Sequence, residues 1–245
     1  MIKFMLQLVK IVVAACIAVL FNSCGGMDFG KSITGSGNVT SQTREVGTFD
    51  KIEVGNGLDC EITQADKISV VVEADDNLQE GITTKVINGT LHIESEYNRY
   101  KNVKSKKIKV QLPVVATLET TSGSDLVTKN VIKGTNILLK SSSGSSLEAT
   151  IEVDKVILES TSGSDLVVQG KALEVETSSS SGSSIEADKL LANDITAQST
   201  SGSTSTVNPI VSLKAHASSG SSIEYVKAPK NLTVEENSGG DVEAK

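Results

Sequence analysis

Apolar and polar residues alternate at period two along most of this chain. In LEATIEV, Leu147, Ala149, Ile151 and Val153 alternate with Glu148, Thr150 and Glu152, and Val156 and Leu158 resume the pattern after one break. Such alternation predicts strands with one face buried. The strands are punctuated by Ser-Gly pairs whose glycines, Gly123, Gly144, Gly163, Gly182, Gly202, Gly220 and Gly239, lie 21, 19, 19, 20, 18 and 19 residues apart. Three residues after each glycine comes Leu126, Leu147, Leu166, Ile185, Ser205, Ile223 or Val242, so this offset is aliphatic in every copy except that of Ser205. A flexible Ser/Gly linker has no reason to hold an aliphatic side chain in phase, so the period is architectural.

A second apolar column follows in Ile137 and Leu139, Val156 and Leu158, Leu173 and Val175, Ile195 and Ala197, Leu213 and Ala215, and Leu232 and Val234. Each unit of about 20 residues therefore holds two short strands and two corners. So small a unit buries nothing alone, and neighbours must stack and share a core. Closing the chain at that period sets successive units parallel, with strands about 4.8 Å apart, and parallel crossovers are right-handed by strong default. The predicted fold is all-β, a right-handed parallel β-helix or β-solenoid with coils of about 19–21 residues. At each corner glycine supplies a backbone conformation that other residues resist, while the adjoining serines bond backbone groups and stack in ladders. The corners alternate between TSGSDLV, at Gly123 and Gly163, and SSGSS(L/I)E, at Gly144, Gly182 and Gly220. That super-repeat of about 40 residues points to duplication of a two-coil unit.

The regular repeats occupy residues 121–245, and residues 33–120 share the phase more loosely. Gly37 and Gly57 lie 20 apart, and FDKIEV, KISVVVEAD and GTLHIES read as strands of the first, less regular coils. Residues 95–107, SEYNRYKNVKSKK, read as a protruding loop; they form the one basic segment of an acidic chain and hold two of its three tyrosines. In it Tyr97, Arg99, Tyr100 and Lys101 are a candidate surface for an anionic partner, the plainer alternative being a solvated loop.

The first residues, MIKFMLQLVKIVVAACIAVLFNSC, carry Lys3 and Lys10, then an apolar run from Ile11 to Phe21, then small and polar residues up to Cys24. A run of 11 residues is too short to span a bilayer as a helix and suits a signal peptide, so residues 1–23 are expected to be removed on export. Leu20-Phe21-Asn22-Ser23-Cys24 resembles the lipobox of bacterial lipoproteins, with Phe21 where an aliphatic residue is usual. That resemblance implies that Cys24 becomes the first mature residue and carries several acyl chains, enough for stable anchoring in a membrane. Plain secretion is the alternative. Residues 24–32, glycine-rich and without apolar periodicity, are expected to form a flexible tether. Cys60, in LDCEI, then remains alone and reads as a small buried hydrophobe. No Asp directly follows Cys24 to favour inner-membrane retention, so the outer membrane is expected, at either its surface or its periplasmic face.

Composition excludes some functions. A net charge of −7 repels phosphate backbones, so no nucleic acid is expected as a partner. His92 and His216 stand about 120 residues apart, which suits neither a zinc site nor a coupled nucleophile and base. No G-x-S-x-G elbow and no glycine-rich phosphate loop is present. GSDLV and SGGDVEA resemble the nonapeptide of calcium-binding β-rolls, yet the aliphatic residue follows Asp125 and Asp165 directly and only Asp241 adds a third acid. Neither a metal, a cofactor nor a catalytic residue is expected. Glu148, Glu186 and Glu224 each lie four residues after their glycine, beside an inward Leu or Ile. They therefore point outward on every second coil, as solvated acids that blunt sheet aggregation and as a candidate interaction surface.

The run GSGNVTSQTREVGTFDKIEVGNGLDCEITQ, the later VVEADDNLQEGITTKVINGTLHIES and the SGS-punctuated repeats together resemble the head GIN domain family. These are adhesin-like bacterial lipoproteins of the Bacteroides type, grouped as a domain of unknown function. The most specific parts are R-x-V-x-x-F-x-x-I-x-V from Arg44 to Val54 and NGTL at 88–91, and the resemblance spans essentially the whole mature chain. It implies a parallel β-helix and an exported lipoprotein, and it brings no catalytic residues. Two functional readings follow: a lipid-anchored adhesin-like or structural module of the cell envelope that meets a cell-surface or host glycan or protein, and a polysaccharide-binding or polysaccharide-cleaving β-helix. The second needs an aromatic platform, for which only Tyr97, Tyr100 and Tyr225 are available. Nothing in the sequence fixes an oligomeric state.

Overall fold

The computed structural model describes residues 30–245. The signal peptide, Cys24 and most of the tether lie outside these residues; the tether's last two positions open a strand, Lys31–Thr34. From residue 117 onward the chain is the predicted parallel stack. Strand Thr117–Thr120 lies between Lys51–Val54 and Ile132–Ser142, with Leu118 in register with both Ile52 and Leu139. The long bent strands Ser146–Thr161, Asp165–Ser180, Ser184–Thr200 and Thr204–Ser218 each make most of a coil and pair in parallel with their neighbours. Ser222–Tyr225, Asn231–Asn237 and Asp241–Ala244 complete the stack. The aliphatic columns run down its axis: Leu126, Leu147, Leu166, Ile185 and Ile223 on one side and Leu139, Leu158, Ala197 and Ala215 on the other are all buried.

Two expectations change. Leu173 points outward and Ala172 inward, because Leu173 and Glu174 are both exposed at the coil's second corner and the alternation slips there by one residue. The N-terminal coils also do not follow chain order. The coil built from Lys51–Val54 and Asp59–Gln64 is sandwiched, with Thr90–Ser95 and Lys106–Leu112 on one side of it and Thr117–Thr120 and Asp125–Thr128 on the other. The chain thus lays its second coil beneath its first before climbing. Three antiparallel strands close that lower end: Ser69–Asp75 on Lys106–Leu112, Val39–Thr43 on Ser69–Asp75, and Ile82–Ile87 on Thr90–Ser95. Antiparallel strands cover a sheet edge that would otherwise template association.

The Ser-Gly corners turn through two consecutive left-handed residues. Ser122, Ser143, Ser162, Ser181, Ser201, Ser219 and Ser238 have φ of +49° to +58°, and the following glycines +67° to +77°. Positive φ at both central residues is the type I′ geometry that joins strands tightly. Each corner glycine from Gly123 to Gly220 donates its N–H to the carbonyl of the next coil's left-handed serine, as from Gly163 to Ser181 at 3.1 Å. The serine after each glycine from Gly123 to Gly220 points inward. Ser164 is fully buried, its Oγ donates to the Ser141 carbonyl of the coil below (2.7 Å), and it accepts the Thr161 N–H of its own corner (3.1 Å). Ser145, Ser183, Ser203 and Ser221 make the same pair of contacts. Only a small hydroxyl can both fit this position and bridge two backbones. Ser164→Ala should therefore cost about 1–3 kcal/mol by orphaning a buried N–H, whereas exposed Ser162→Ala should stay within about 0.5 kcal/mol, a difference that paired thermal melts read directly. Ser205, the polar exception in the aliphatic column, is buried with Ser179, Ser199 and Ser203 in a closed hydroxyl cluster with contacts of 2.8–3.0 Å.

Candidate functional site

The strand that leaves each Ser-Gly corner turns two residues outward, at two and four positions past the glycine. The first outward column reads Asp59, Asp125, Ser146, Asp165, Ser184, Thr204, Ser222 and Asp241. The second reads Glu61, Val127, Glu148, Val167, Glu186, Thr206, Glu224 and Glu243 in the same order. Where the first column carries Asp125 or Asp165 the second carries Val127 or Val167, and where the first carries serine the second carries glutamate. Successive coils are about 4.8 Å apart, and two carboxylates at that distance repel by roughly 1 kcal/mol even in water. The two alternating phrases of the super-repeat thus place a carboxylate on every coil from Asp125 to Glu186 with none directly above another. The face is a checkerboard of acids and hydroxyls, with Glu148 and Glu186 exposed and Glu224 partly so.

The rule lapses at the lower end. Asp59 and Asp125 do stack, and the cost is visible: burial first, then the Asp59 charge, pushes the Asp125 carboxyl up, while Lys106 offsets part of the rise. Lys106 also bonds Asp59 directly. Between the same two strands Lys107 donates to Glu61 at 3.0 Å, and this bond holds the Glu61 carboxyl below its usual range. A shallow depression of about 240 Å³ lies among Asp59, Glu61, Lys107, Asp125 and Glu148. Cys60 between the two acids is buried, and that burial, then the charges of Glu61 and Asp59, pushes its thiol far up, so it is inert.

The basic segment is a correction to the sequence reading. It is a strand, Tyr97–Lys101, with a short turn behind it, instead of a protruding loop. Tyr100 fixes it: its hydroxyl donates toward the carbonyls of Asn56 (2.8 Å) and Tyr97 (2.9 Å), and its ring packs 3.1 Å from the position a Gly57 side chain would take. Burial pushes its phenol up, and Lys106 lies 5.7 Å from the ring centre. Tyr100 is thus part of the lower corner's packing, while Arg99 and Lys101 remain exposed. The strand sits on the coil of Asn56, two, four and six coils from those of Glu148, Glu186 and Glu224. Those distances, roughly 10, 19 and 29 Å along the stack, keep the two predicted surfaces apart. Tyr225 is partly buried in the coil of Glu224, so the three tyrosines form no common platform. His92 pairs with Glu53 and His216 with Glu235, both at 3.1 Å, on separate coils.

The sequence reading missed a groove of about 490 Å³ at the coils' second corner, lined by Glu152, Lys171, Leu173, Leu191 and Ile210 among others. Leu173, Leu191 and Ile210 are 52%, 40% and 47% exposed, more than any core residue. The alternation that assigns Leu173 to the core slips by one residue at this corner and turns it outward.

The stack is similar to three crystal structures. One is described as a "putative adhesin" from Bacteroides fragilis NCTC 9343, with TM-score 0.81 and 22% identity over 87% of this chain and 100% of that one. A "putative lipid binding protein" from Parabacteroides distasonis ATCC 8503 matches with TM-score 0.72 and 19% identity, over 88% of this chain and 100% of that one. A "putative adhesin" from the same organism matches with TM-score 0.71, 19% identity and the same coverages. At these identities the likeness establishes a shared fold. No curated protein matches the chain. Residues 48–229, about three quarters of the sequence, match the family described as "Putative auto-transporter adhesin, head GIN domain", and the chain belongs to that family.

Proposed function

We propose that this protein is an interaction module of the cell envelope, exported by residues 1–23, held to the outer membrane by acyl chains on Cys24, and acting in adhesion without catalysis. The observation that carries this reading is the checkerboard face. A rigid stack holds Asp125, Glu148, Asp165 and Glu186 and the hydroxyls between them at a spacing set by the sheet. Such a face presents many weak polar contacts to a large partner and no enclosed cavity to a small substrate, which suits multivalent contact. The family's adhesin description, the lipobox-like Leu20–Cys24 and the export signal support the same reading. Glu148→Gln, Glu186→Gln and Glu224→Gln combined should leave folding intact, since these side chains are outward, and should reduce attachment of host cells to the surfaces that wild-type cells colonise. Attachment equal to wild type would remove this face from the contact.

A second reading draws on the groove at Leu173, Leu191 and Ile210 and on the similarly folded protein described as lipid-binding. The groove, of about 490 Å³, offers the exposed side chains of Leu173, Leu191 and Ile210 as apolar contacts for an acyl chain. Mass spectrometry of the protein extracted gently from its own membranes decides it: a co-purifying lipid that is lost in Leu191→Asp supports this reading, and lipid-free protein ends it.

A further inference from the structure

The two ends of the stack are finished differently. Antiparallel strands of the chain itself cover the lower end. Among the described residues nothing covers the upper end: every residue of Asn231–Asn237 is exposed, as are Asp241, Glu243 and Ala244. Leu232 and Val234, which continue the buried columns, are 43% and 40% exposed, with no coil of the described residues above them. A bare edge with an apolar floor is the feature that lets one sheet recruit another, and two copies could meet here about a two-fold axis.

One inward column breaks its own rule at this edge. Thr120, Ser141, Ser160, Ser179, Ser199 and Ala217 stand in register up the stack, all small and all buried. The next residue in that column, paired with Ala217, is Glu236. Its carboxylate bends across the terminal corner and accepts the Val242 N–H at 2.8 Å. Room for this comes from Gly240, which stands where the interior coils hold the inward serine. A side chain there would meet the Ala217 carbonyl at 2.2 Å, so the terminal corner has closed down on the coil below. The last coil therefore lacks both small inward groups that the interior coils offer to the coil above, and carries a charge in their place. A strand laid over it would bury a carboxylate whose hydrogen-bond partner is the Val242 N–H, at a cost several times that of an ordinary polar group.

We propose that Glu236, with Gly240, is a stack terminator: it closes the end of the core and prevents one copy of the chain from docking its last coil on that of another. Copies of the chain then remain separate solenoids, and the acid-bearing faces stay free. The inference stands on the register and burial of this column and needs nothing from the proposed role in adhesion.

The test is sedimentation velocity of the full-length protein in density-matched detergent. Glu236→Gln removes the charge and keeps an acceptor for Val242, and Glu236→Ser restores the residue of the interior coils. Wild type should sediment as a monomer, both variants should self-associate at least about tenfold more tightly, and adding Val234→Lys to either should return it to the monomer. Hydrogen exchange should show residues 231–244 protected in the associated variants. Monomeric behaviour of both variants would overturn the proposal, as would association that Val234→Lys leaves intact or a wild-type dimer that Val234→Lys dissolves.

Discussion

Gly170→Ala is expected to lower stability by about 3–5 kcal/mol, the sum of a left-handed backbone strain and an overpacking penalty. Gly170 lies in Asp165–Ser180, in register with Ile151 below, beside an irregularity in the pairing with the coil above. Its φ is +123°, a conformation open to glycine almost alone, and a Cβ on it would stand 1.9 Å from the Ile151 carbonyl oxygen. The atom it meets is backbone within a parallel ladder, so neither partner can step aside without breaking coil-to-coil hydrogen bonds. Gly163→Ala gives the contrast. Gly163 has φ +67° but open space around its missing side chain, so only the conformational cost of about 1 kcal/mol applies. In a chain of this size each kcal/mol moves the melting temperature by roughly 2–4 °C, so calorimetry should separate the two variants by roughly 10 °C. Equal melting temperatures would mean that the backbone at Ile151 yields to the added methyl group.

Asp75→Ala is expected to cost a similar amount, about 3–5 kcal/mol, because it leaves three backbone donors without their acceptor. Asp75 is fully buried, with Oδ1 accepting the N–H groups of Lys104 (3.0 Å) and Ser105 (2.9 Å) and Oδ2 that of Gly37 (2.8 Å). It thereby pins the first residues of the body and the turn after the basic strand to the antiparallel closure of the lower end. Burial alone would raise its carboxyl, but the three N–H bonds together outweigh burial and hold it below the usual range. A carboxyl lowered on folding stabilises the protein at pH values above its unfolded value near 4 and loses that contribution as pH falls through the folded value. Glu61, lowered chiefly by the Lys107 bond, and Asp76, lowered chiefly by the Ser36 hydroxyl, act with the same sign. The melting temperature should therefore change little from neutral pH to about 5 and fall steeply below about 4, and Asp75→Asn should flatten that fall while lowering the plateau. An acid limb as steep in Asp75→Asn as in wild type would assign acid lability elsewhere.

The regular half of the fold was legible in the sequence because its information is local. A glycine every 18 to 21 residues and an aliphatic side chain at one offset fix both the coil length and the buried face, and the serines around each glycine announced the backbone bridges at the corners. Less visible was that seven serines sit at positive φ, since asparagine is the more usual residue there, as at Asn56 and Asn88. The order of the first coils was hidden for a different reason. Alternation in KISVVVEAD and GTLHIES says strand and face, but the choice between parallel and antiparallel neighbours is made by contacts far apart in the chain. The same holds for Tyr100, whose role depends on the Asn56–Gly57 corner brought beneath it by that out-of-order stacking. The alternation of the two corner phrases could be read as a repeat, whereas its physical basis, the separation of carboxylates on adjacent coils, needed the register.

The central claim is that the solenoid faces outward from the cell as an interaction module, and protease shaving of intact cells tests it most directly. With a tag after Lys245 and a Cys24→Ala control, the account predicts that the tag is released from whole cells carrying the wild-type protein, and that the control is lost from the membrane fraction. A tag protected until the outer membrane is opened would contradict outward display and confine the protein's partners to the periplasm.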